Sequence, residues 1–478
     1  MPAIPEGVRS LARTLRAAGH EAHLVGGCVR DLVRGVPPAD WDVATDARPD
    51  RLLALFPGAR YENRFGTVAV LQPDGVHEVT TFRRDGTYSD HRRPDDVAFG
   101  DTLDEDLARR DFTVNAMAIP LDADGMPGAV VDRFDGRADL AGGILRTVGD
   151  PGARFREDAL RMLRAVRFAA TLGVTVEPAT RAAIAAEAPL AVHVSGERTF
   201  VELMRLLAAE RPSTGLRLAE ETGLLAVVAP ELARQRGIPQ AKTPFDDLWD
   251  HTCRTVDAAA PTLVDGLPLA RTAALLHDIG KPATFADGHF VGHETVGAEL
   301  ATAWLDGLRV PRAFAARVAG LVRHHMFSYA PEWSDAAIRR FIRRVGLADL
   351  DQVLDLRAAD NVGSGLPWNV DGLDELRERC RAQVAAHVAL ERGDLAVDGN
   401  DLMRALALAP GPALGRLLDE LLERVLADPM LNERGRLLAI AREVAGDGAG
   451  STTATGDGAG WVAGGGAGGT AARRGPRP

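Results

Sequence analysis

Asp40 and Asp42 stand one residue apart in the segment ADWDVAT, and two like charges that close need a counter-charge. The segment has strand character, and on a strand residues i and i+2 point to the same face, so both carboxylates converge on one spot. A hard divalent cation such as Mg²⁺ resolves their repulsion, taking one or two carboxylates together with substrate phosphates. Gly26 and Gly27 add the phosphate side of this chemistry. They follow the apolar run HLV and open the helical CVRDLVRG, where backbone N–H groups can approach an anion with no side chain in the way. Two ions about 4 Å apart could activate a 3′-hydroxyl and stabilise a leaving pyrophosphate in an in-line displacement. Such sites usually hold a third acid, and Glu78 in the strand-like HEVTTFR is the candidate.

A second pair, Asp158 and Arg161 in EDALR, has the spacing that shares one helix face. A carboxylate only accepts hydrogen bonds and a guanidinium only donates them. Together they match a base edge that offers an amino donor beside a ring-nitrogen acceptor, which cytosine and adenine both present. Uracil and guanine offer the reverse and would be refused.

A third set is built from histidine and aspartate. The order runs His251, then His277 with Asp278, then His293, then His324 with His325, and finally Asp360. Six of the chain's twelve histidines fall in this one helical block, on otherwise apolar helices. Imidazoles and carboxylates gathered this way are ligands for a divalent metal in a mixed nitrogen and oxygen site.

The elements that must position these groups change character along the chain. Up to about residue 150, short apolar runs such as GTVAVLQ and GAVVDRF alternate with helical patterns, an α/β signature. From Arg154 onward helical spacing dominates. The expected layout is an α/β head with a small mixed sheet and flanking helices at 11–150 and an all-α neck at 151–237. A loop-rich boundary near 237–247 precedes an all-α metal-binding domain at 246–366. A further helical segment at 367–445 and a disordered Gly/Ala-rich tail at 446–478 complete the chain. With 46% hydrophobic residues over 478 positions the chain can bury several cores. Cys28, Cys253 and Cys380 lie far apart with no CxxC, which argues against a disulfide framework or a thiolate zinc site. The net charge of −11 argues against a broad basic coat for nucleic acid but leaves room for a local basic groove. The first residues lack an apolar signal and no stretch reaches a membrane span, so the cytoplasm is the expected compartment.

Six motifs occur in order: LVGGCVRD with ADWDVAT, EVTTFRRDGTYSDHRRPDDVAF, DEDLARRDFTVNAMAI, DRFDGRADL, RFREDALRMLRAVRFAA and SGERTFVELMRLL. Over roughly residues 11–225 the chain thereby resembles the class II tRNA CCA-adding nucleotidyltransferases and their bacterial poly(A) polymerase relatives. The resemblance implies tRNA, CTP and ATP as partners, Mg²⁺ on Asp40 and Asp42, and Asp158 with Arg161 as a protein template. It also implies that Arg110 and Asp111 serve triphosphate and ribose with support from Asn115. Arg30 and Arg164 complete the expected nucleotide-binding set, while Glu197 and Arg198 belong to the neck. The segment RRDGTYSDHRRPDDV keeps a loop that enzymes adding only CC lack, which favours complete CCA addition. Residues 248–365 resemble the HD phosphohydrolase superfamily. That likeness implies a first metal held by His251, His277, Asp278 and Asp360. Asp278 would bridge to a second ion on His293 and His324 or His325, with Lys281 neutralising a phosphate. The metal is left open among nickel, cobalt, manganese, iron and magnesium. The joint expectation is a tRNA 3′-end enzyme whose HD domain removes a 2′,3′-cyclic or terminal phosphate. The alternatives are a poly(A) polymerase or A-adding enzyme, and an HD nucleotide phosphohydrolase with a nucleotide-sensing head. RNA contact is expected from helical arginines such as Arg339, Arg340, Arg343 and Arg344.

Overall fold

A seven-stranded mixed sheet organises the N-terminal head. The computed structural model describes residues 2–63, 66–84, 99–240 and 247–450. Nearly all of the loop expected at 83–97, and the segment 451–478 of the expected tail, lie outside these residues. The strands are β1 (His23–Val25), β2 (Asp42–Thr45), β3 (Arg60–Asn63), β4 (Thr67–Gln72), β5 (Gly75–Thr81), β6 (Met117–Pro120) and β7 (Val131–Asp132), in the order β3-β4-β5-β2-β1-β6-β7. Only the β2–β5 pair is parallel, and its register sets Asp42 directly beside Glu78.

One face of this sheet is closed by apolar packing. Helices α1 (Glu6–Ala17), α2 (Gly27–Val33) and α3 (Pro49–Leu55) bring Leu11, Leu15, Val29, Leu32 and Leu52 against Val43, Val68, Val79 and Ile119. The opposite face carries a smaller cluster, Val25, Ala44, Phe82, Leu107 and Ala118. Leu107 comes from α4 (Leu103–Ala108), whose start is fixed by a capping box between Thr102 and Glu105. Alternation along the strands puts Asp42 on the face of Ala44, and Glu78 joins it across the register. The acids therefore occupy the part of the sheet that the larger core leaves uncovered.

From α5 (Gly136–Ala141) onward the helices take over. α6 (Pro151–Glu157), α7 (Leu160–Leu172), α8 (Pro178–Glu187) and α9 (Gly196–Leu207) form the neck. A larger helical array follows, with His251 on Leu248–Ala258, His293 opening His293–Gly307 and Asp360 on Leu350–Gly363. Gly280 is needed there for close packing, because a Cβ at its position would stand 2.2 Å from the His293 carbonyl oxygen.

The chain divides into two units, Met1–Glu332 with Val345–Glu378, and Trp333–Arg344 with Arg379–Pro478. Most of helix Asp335–Val345, inside the metal-binding domain expected at 246–366, falls in the second unit with the C-terminal segment. Helix Arg434–Gly450 also runs into the stretch from 446 expected to be disordered. Within the second unit, Arg339 donates to the carbonyls of Leu426 and Ala427 and to Gln383. Arg340 and Arg343 bond Glu423, and Arg344 lies over the Phe341 ring. Arg339, Arg340 and Arg343, expected to meet RNA, thus bond acceptors inside this unit that lie about forty to ninety residues away in sequence.

Candidate active sites

β2 begins at Asp42, and Asp40 sits in the bend just before it, so the two aspartates do not share a strand face as the spacing suggested. They still come together, because both line one cavity of about 320 Å³ with Gly26, Gly27 and Arg30. Asp42 also lines a neighbouring cavity of about 430 Å³ with Glu78. Burial raises the Asp42 carboxyl above the ordinary aspartate range, Arg110 opposes that shift, and Asp40 adds to it. Asp42 thus stands in both hollows, with Asp40 in one and Glu78 in the other, and carboxylate oxygens are the donors Mg²⁺ takes. Gly26 has φ +75°, and a Cβ there would stand 2.9 Å from an Arg110 nitrogen and 3.6 Å from Asp42 Oδ2. Its lack of a side chain keeps this corner open.

The larger cavity also receives Asp158, Arg161, Arg109, Arg110, Arg164 and Arg198. Asp158 breaks the helix: it ends α6 in an extended conformation before α7 starts, so it does not share a helix face with Arg161. The cause is local. Its Oδ1 accepts from the Leu160 N–H at 3.0 Å, a capping bond that competes with helix continuation. Asp158 Oδ2 accepts from Arg198 at 2.6 Å. Arg161 donates to Glu157 and to the carbonyls of Arg154 and Arg109.

A buried polar lattice fixes the cavity wall. Asp106, 1% exposed, accepts from Arg109 and Arg110 at 2.5 and 2.9 Å. Burial alone would raise its pKa, but the two guanidiniums hold it well below the usual range. Asp111 accepts from Arg164 at 2.7 Å and from Asn115 at 3.1 Å, and Asn115 accepts from Arg30 at 2.9 Å. Despite burial, Arg164 and Asn115 bring the Asp111 carboxyl down to about 2.

The histidine and aspartate set forms a separate buried cluster. His251, His277 and Asp360 bring one ligand atom each within 4.8 Å of one another, and so do Asp278, His293 and His325. Asp278 bridges the two groups, with Oδ2 at 3.3 Å from His251 and 3.1 Å from His277, and Oδ1 at 3.4 Å from His293 and 3.7 Å from His325. His277, His293 and His325 each donate from Nδ1 to a backbone carbonyl three residues earlier, which turns Nε2 inward. Burial opposes a charge on His251, but Asp278 and Asp360 raise its pKa to about 9. Burial and the neighbouring His277 push His325 down to about 3. This donor set fits a pair of divalent metals. His325 joins the cluster and His324 does not, since His325 follows the last helical residue and turns inward while His324 stays half-buried. Asp40, Asp42 and Glu78 are drawn together less tightly, as the two histidine-containing groups are the only such triads among the described residues.

Three family descriptions match in chain order: the poly(A) polymerase head domain at 22–146, the probable RNA and SrmB-binding site of polymerase A at 173–236, and the HD domain at 248–364. The chain is 34% identical to the CCA-adding enzyme of Geobacillus thermodenitrificans over 438 residues, covering 90% of this chain and 94% of the relative. The chain belongs to the CCA-adding enzyme family. The Lacticaseibacillus paracasei member is 35% identical over 91% of this chain and 96% of its own length. The crystal structure of the Bacillus stearothermophilus CCA-adding enzyme in complex with CTP superposes with a TM-score of 0.69 at 30% identity, covering 93% of this chain and 98% of that one. The Thermotoga maritima CCA-adding enzyme complexed with tRNA, 18% identical with a TM-score of 0.53, shares the fold. As a CCA-adding family member the chain is a nucleotidyltransferase, with the expected α/β head and helical HD region.

Sequence reasoning passed over several residues of the CCA-adding head and neck. Asp106 carries a readable signal, an acid three and four residues before Arg109 and Arg110. Phe168 and Glu202 do not, because each needs a partner from a distant segment: Arg30 joins Arg164 and Arg167 over the ring, and Arg164 and Arg167 reach the Glu202 carboxylate from another helix. Arg198, expected only in the neck, reaches the cavity, while Glu197 turns away to Arg309. Lys281 bonds Asp278 at 2.6 Å. Among the described residues no helix is long and apolar enough to cross a membrane.

Proposed function

We propose that the protein builds or repairs the 3′-terminal CCA of tRNA from CTP and ATP, with Asp158 and Arg161 choosing the base. The observation that carries this reading is one cavity lined at once by Asp42 and Glu78 in register and by the Asp158 and Arg161 pair. Asp158 accepts from the exocyclic amino group and Arg161 donates to the adjacent ring nitrogen, an arrangement that fits cytosine and adenine alone. Asp40, Asp42 and Glu78 would hold Mg²⁺, which when bound supplies charge stabilisation for an in-line displacement at phosphorus. Arg110 and Arg164, pinned by Asp106 and Asp111, orient the triphosphate, and Asn115 holds Arg30 toward it. Protein-held guanidiniums of this kind lose little freedom when the nucleotide arrives. The B. stearothermophilus relative in complex with CTP and the tRNA-bound T. maritima neighbour support this choice of partners.

The test is incubation of purified protein with Mg²⁺ and tRNA ending at the discriminator base, with product lengths read at one-nucleotide resolution. CC from CTP alone and a stop at CCA with both nucleotides is the expected result. Long A tails from ATP alone would overturn it.

The HD cluster supports a second reading, hydrolysis of 2′,3′-cyclic or terminal phosphates at RNA ends. Its support is the pair of three-residue ligand groups bridged by Asp278. A divalent metal held there would supply a nucleophilic water near neutral pH. Lys281, held on Asp278, adds a cation for the phosphate. His277→Ala should abolish hydrolysis of 2′,3′-cyclic nucleotides and leave CTP incorporation intact. Absence of hydrolysis by the metal-loaded wild type would refute the reading.

A further inference from the structure

The cavity that holds Gly26, Gly27, Asp40 and Asp42 shares Asp42, Arg110, Asp111 and Arg164 with the base-reading cavity, so one ligand can span both. Five arginines line it, and four are already engaged. Arg30 is held by Asp31 and Asn115, Arg110 by Asp106, Arg164 by Asp111, and Arg167 by Glu202. Phe168 forms a floor under three of them, with the Arg167 guanidinium carbon 3.9 Å from the ring centroid. The fifth, Arg205, stands on α9 three residues after Glu202, so it faces the same side of the helix. It is exposed and has no hydrogen-bond or ion-pair partner among the described residues.

We propose that Arg205 is a positioning residue for the β- and γ-phosphates of the incoming nucleotide and for the pyrophosphate that leaves. This rests on the nucleotidyltransferase reading above and adds a residue to it. A cation set beside other cations, with no carboxylate of its own, gains most from an anion brought in by the substrate. The acids that would hold divalent ions spend part of the metal charge, so the four negative charges of a nucleoside triphosphate leave anionic oxygens for the protein to answer. Carboxylates offset the charge of the other four guanidiniums lining this cavity, which keep N–H donors for the triphosphate, and Arg205 adds a charge that no side chain among the described residues offsets. A guanidinium also matches phosphate oxygens with paired N–H donors. Burial lowers the Arg167 pKa, and the charges of Arg164 and Arg205 push the same way, which puts Arg205 within electrostatic reach of this cluster.

The experiment compares the full chain with Arg205→Gln and Arg205→Lys by calorimetric binding of CTP and CMP in the presence of Mg²⁺, and by pyrophosphate inhibition of CTP incorporation. Arg205→Gln should weaken CTP binding about 10- to 100-fold, the worth of a charged hydrogen bond, while CMP binding stays unchanged. Pyrophosphate inhibition should weaken to the same extent, and Arg205→Lys should recover most of both. CTP and CMP weakened equally, or CTP unaffected, would overturn the proposal. Unchanged CTP binding with weaker tRNA binding would likewise overturn it and assign Arg205 to RNA. A wild type that binds CTP through Arg205 yet never extends tRNA would refute the CCA reading and leave this inference standing.

Discussion

Replacing Asp158 by asparagine separates base reading from helix capping. The amide keeps one carbonyl oxygen, which can go on accepting the Leu160 N–H now bonded at 3.0 Å. The other acceptor becomes an NH₂ group. On the protein side the loss is the contact with Arg198; with side chains 20% and 23% exposed, the pair is partly screened and its removal costs about 1 kcal/mol. On the substrate side the change is larger. The amide NH₂ now faces the amino group of cytosine or adenine, donor against donor, and a buried polar group left unpaired costs about 1–3 kcal/mol. The same NH₂ meets the O4 acceptor of uracil favourably. Both effects lower the ratio of kcat/KM for CTP to that for UTP, which should fall on the order of a hundredfold. The assay is single-turnover extension of tRNA ending at the discriminator base with CTP or UTP. Equal losses with both nucleotides, and an unchanged ratio, would refute the template role and leave Asp158 a helix cap that anchors Arg198.

Three further outcomes follow from the lattice around the cavity. Asp106→Asn should destabilise the protein by about 3–5 kcal/mol, because it leaves the Arg109 and Arg110 charges without their buried partner. The folded pKa of Asp106 is depressed, so its contribution is fully present above the unfolded carboxyl value, about 3.9, and fades as pH falls toward the folded one. Denaturant unfolding should show a wild-type advantage that is full at pH 7 and smaller at pH 3. Gly26→Ala forces a side chain onto φ +75° and toward Arg110, so stability should fall by about 1–3 kcal/mol and CTP incorporation by more than tenfold, read by urea unfolding and steady-state kinetics. Glu157→Gln weakens a tether of Arg161, so kcat/KM should fall about tenfold for CTP and ATP alike, with the ratio between them preserved in the same extension assay.

Much of the site can be read in the sequence where chemistry is carried by local spacing. Asp40 with Asp42, the His277–Asp278 pair, and the change from α/β to helix at about residue 150 need only neighbours along the chain, while the rest of the histidine and aspartate series is legible from residue type and order. Glu78 could be proposed as the third acid, but its place beside Asp42 depends on a parallel pairing across more than thirty residues. The helix break at Asp158 is missed by periodicity, because EDALRMLRAV keeps helical spacing and only the side-chain bond to Leu160 competes with it. The choice of His325 over His324 is set by where a helix ends within one residue, the least predictable feature of any helix. The arginines of helix Asp335–Val345 mislead for the opposite reason. Their regular spacing reads as a surface stripe, while Asp419 and Glu423, the acids that bond Arg340 and Arg343, lie about eighty residues away.

A template made of one acid and one base faces a difficulty that the fold answers. On an uninterrupted helix Asp158 and Arg161 would sit three apart and pair with each other, and a self-satisfied pair has nothing to offer a nucleotide. The break at Asp158 removes them from a common helix face. Each is then held by other groups: Asp158 by Arg198 and the Leu160 N–H, Arg161 by Glu157 and two carbonyls. These bonds leave lone pairs on the carboxylate and N–H groups on the guanidinium for a ligand, since an ionised carboxylate accepts about four hydrogen bonds and a guanidinium donates five. The bonds that fix the two side chains thus also keep them apart, and the cost of orienting them is met in folding rather than at each nucleotide addition.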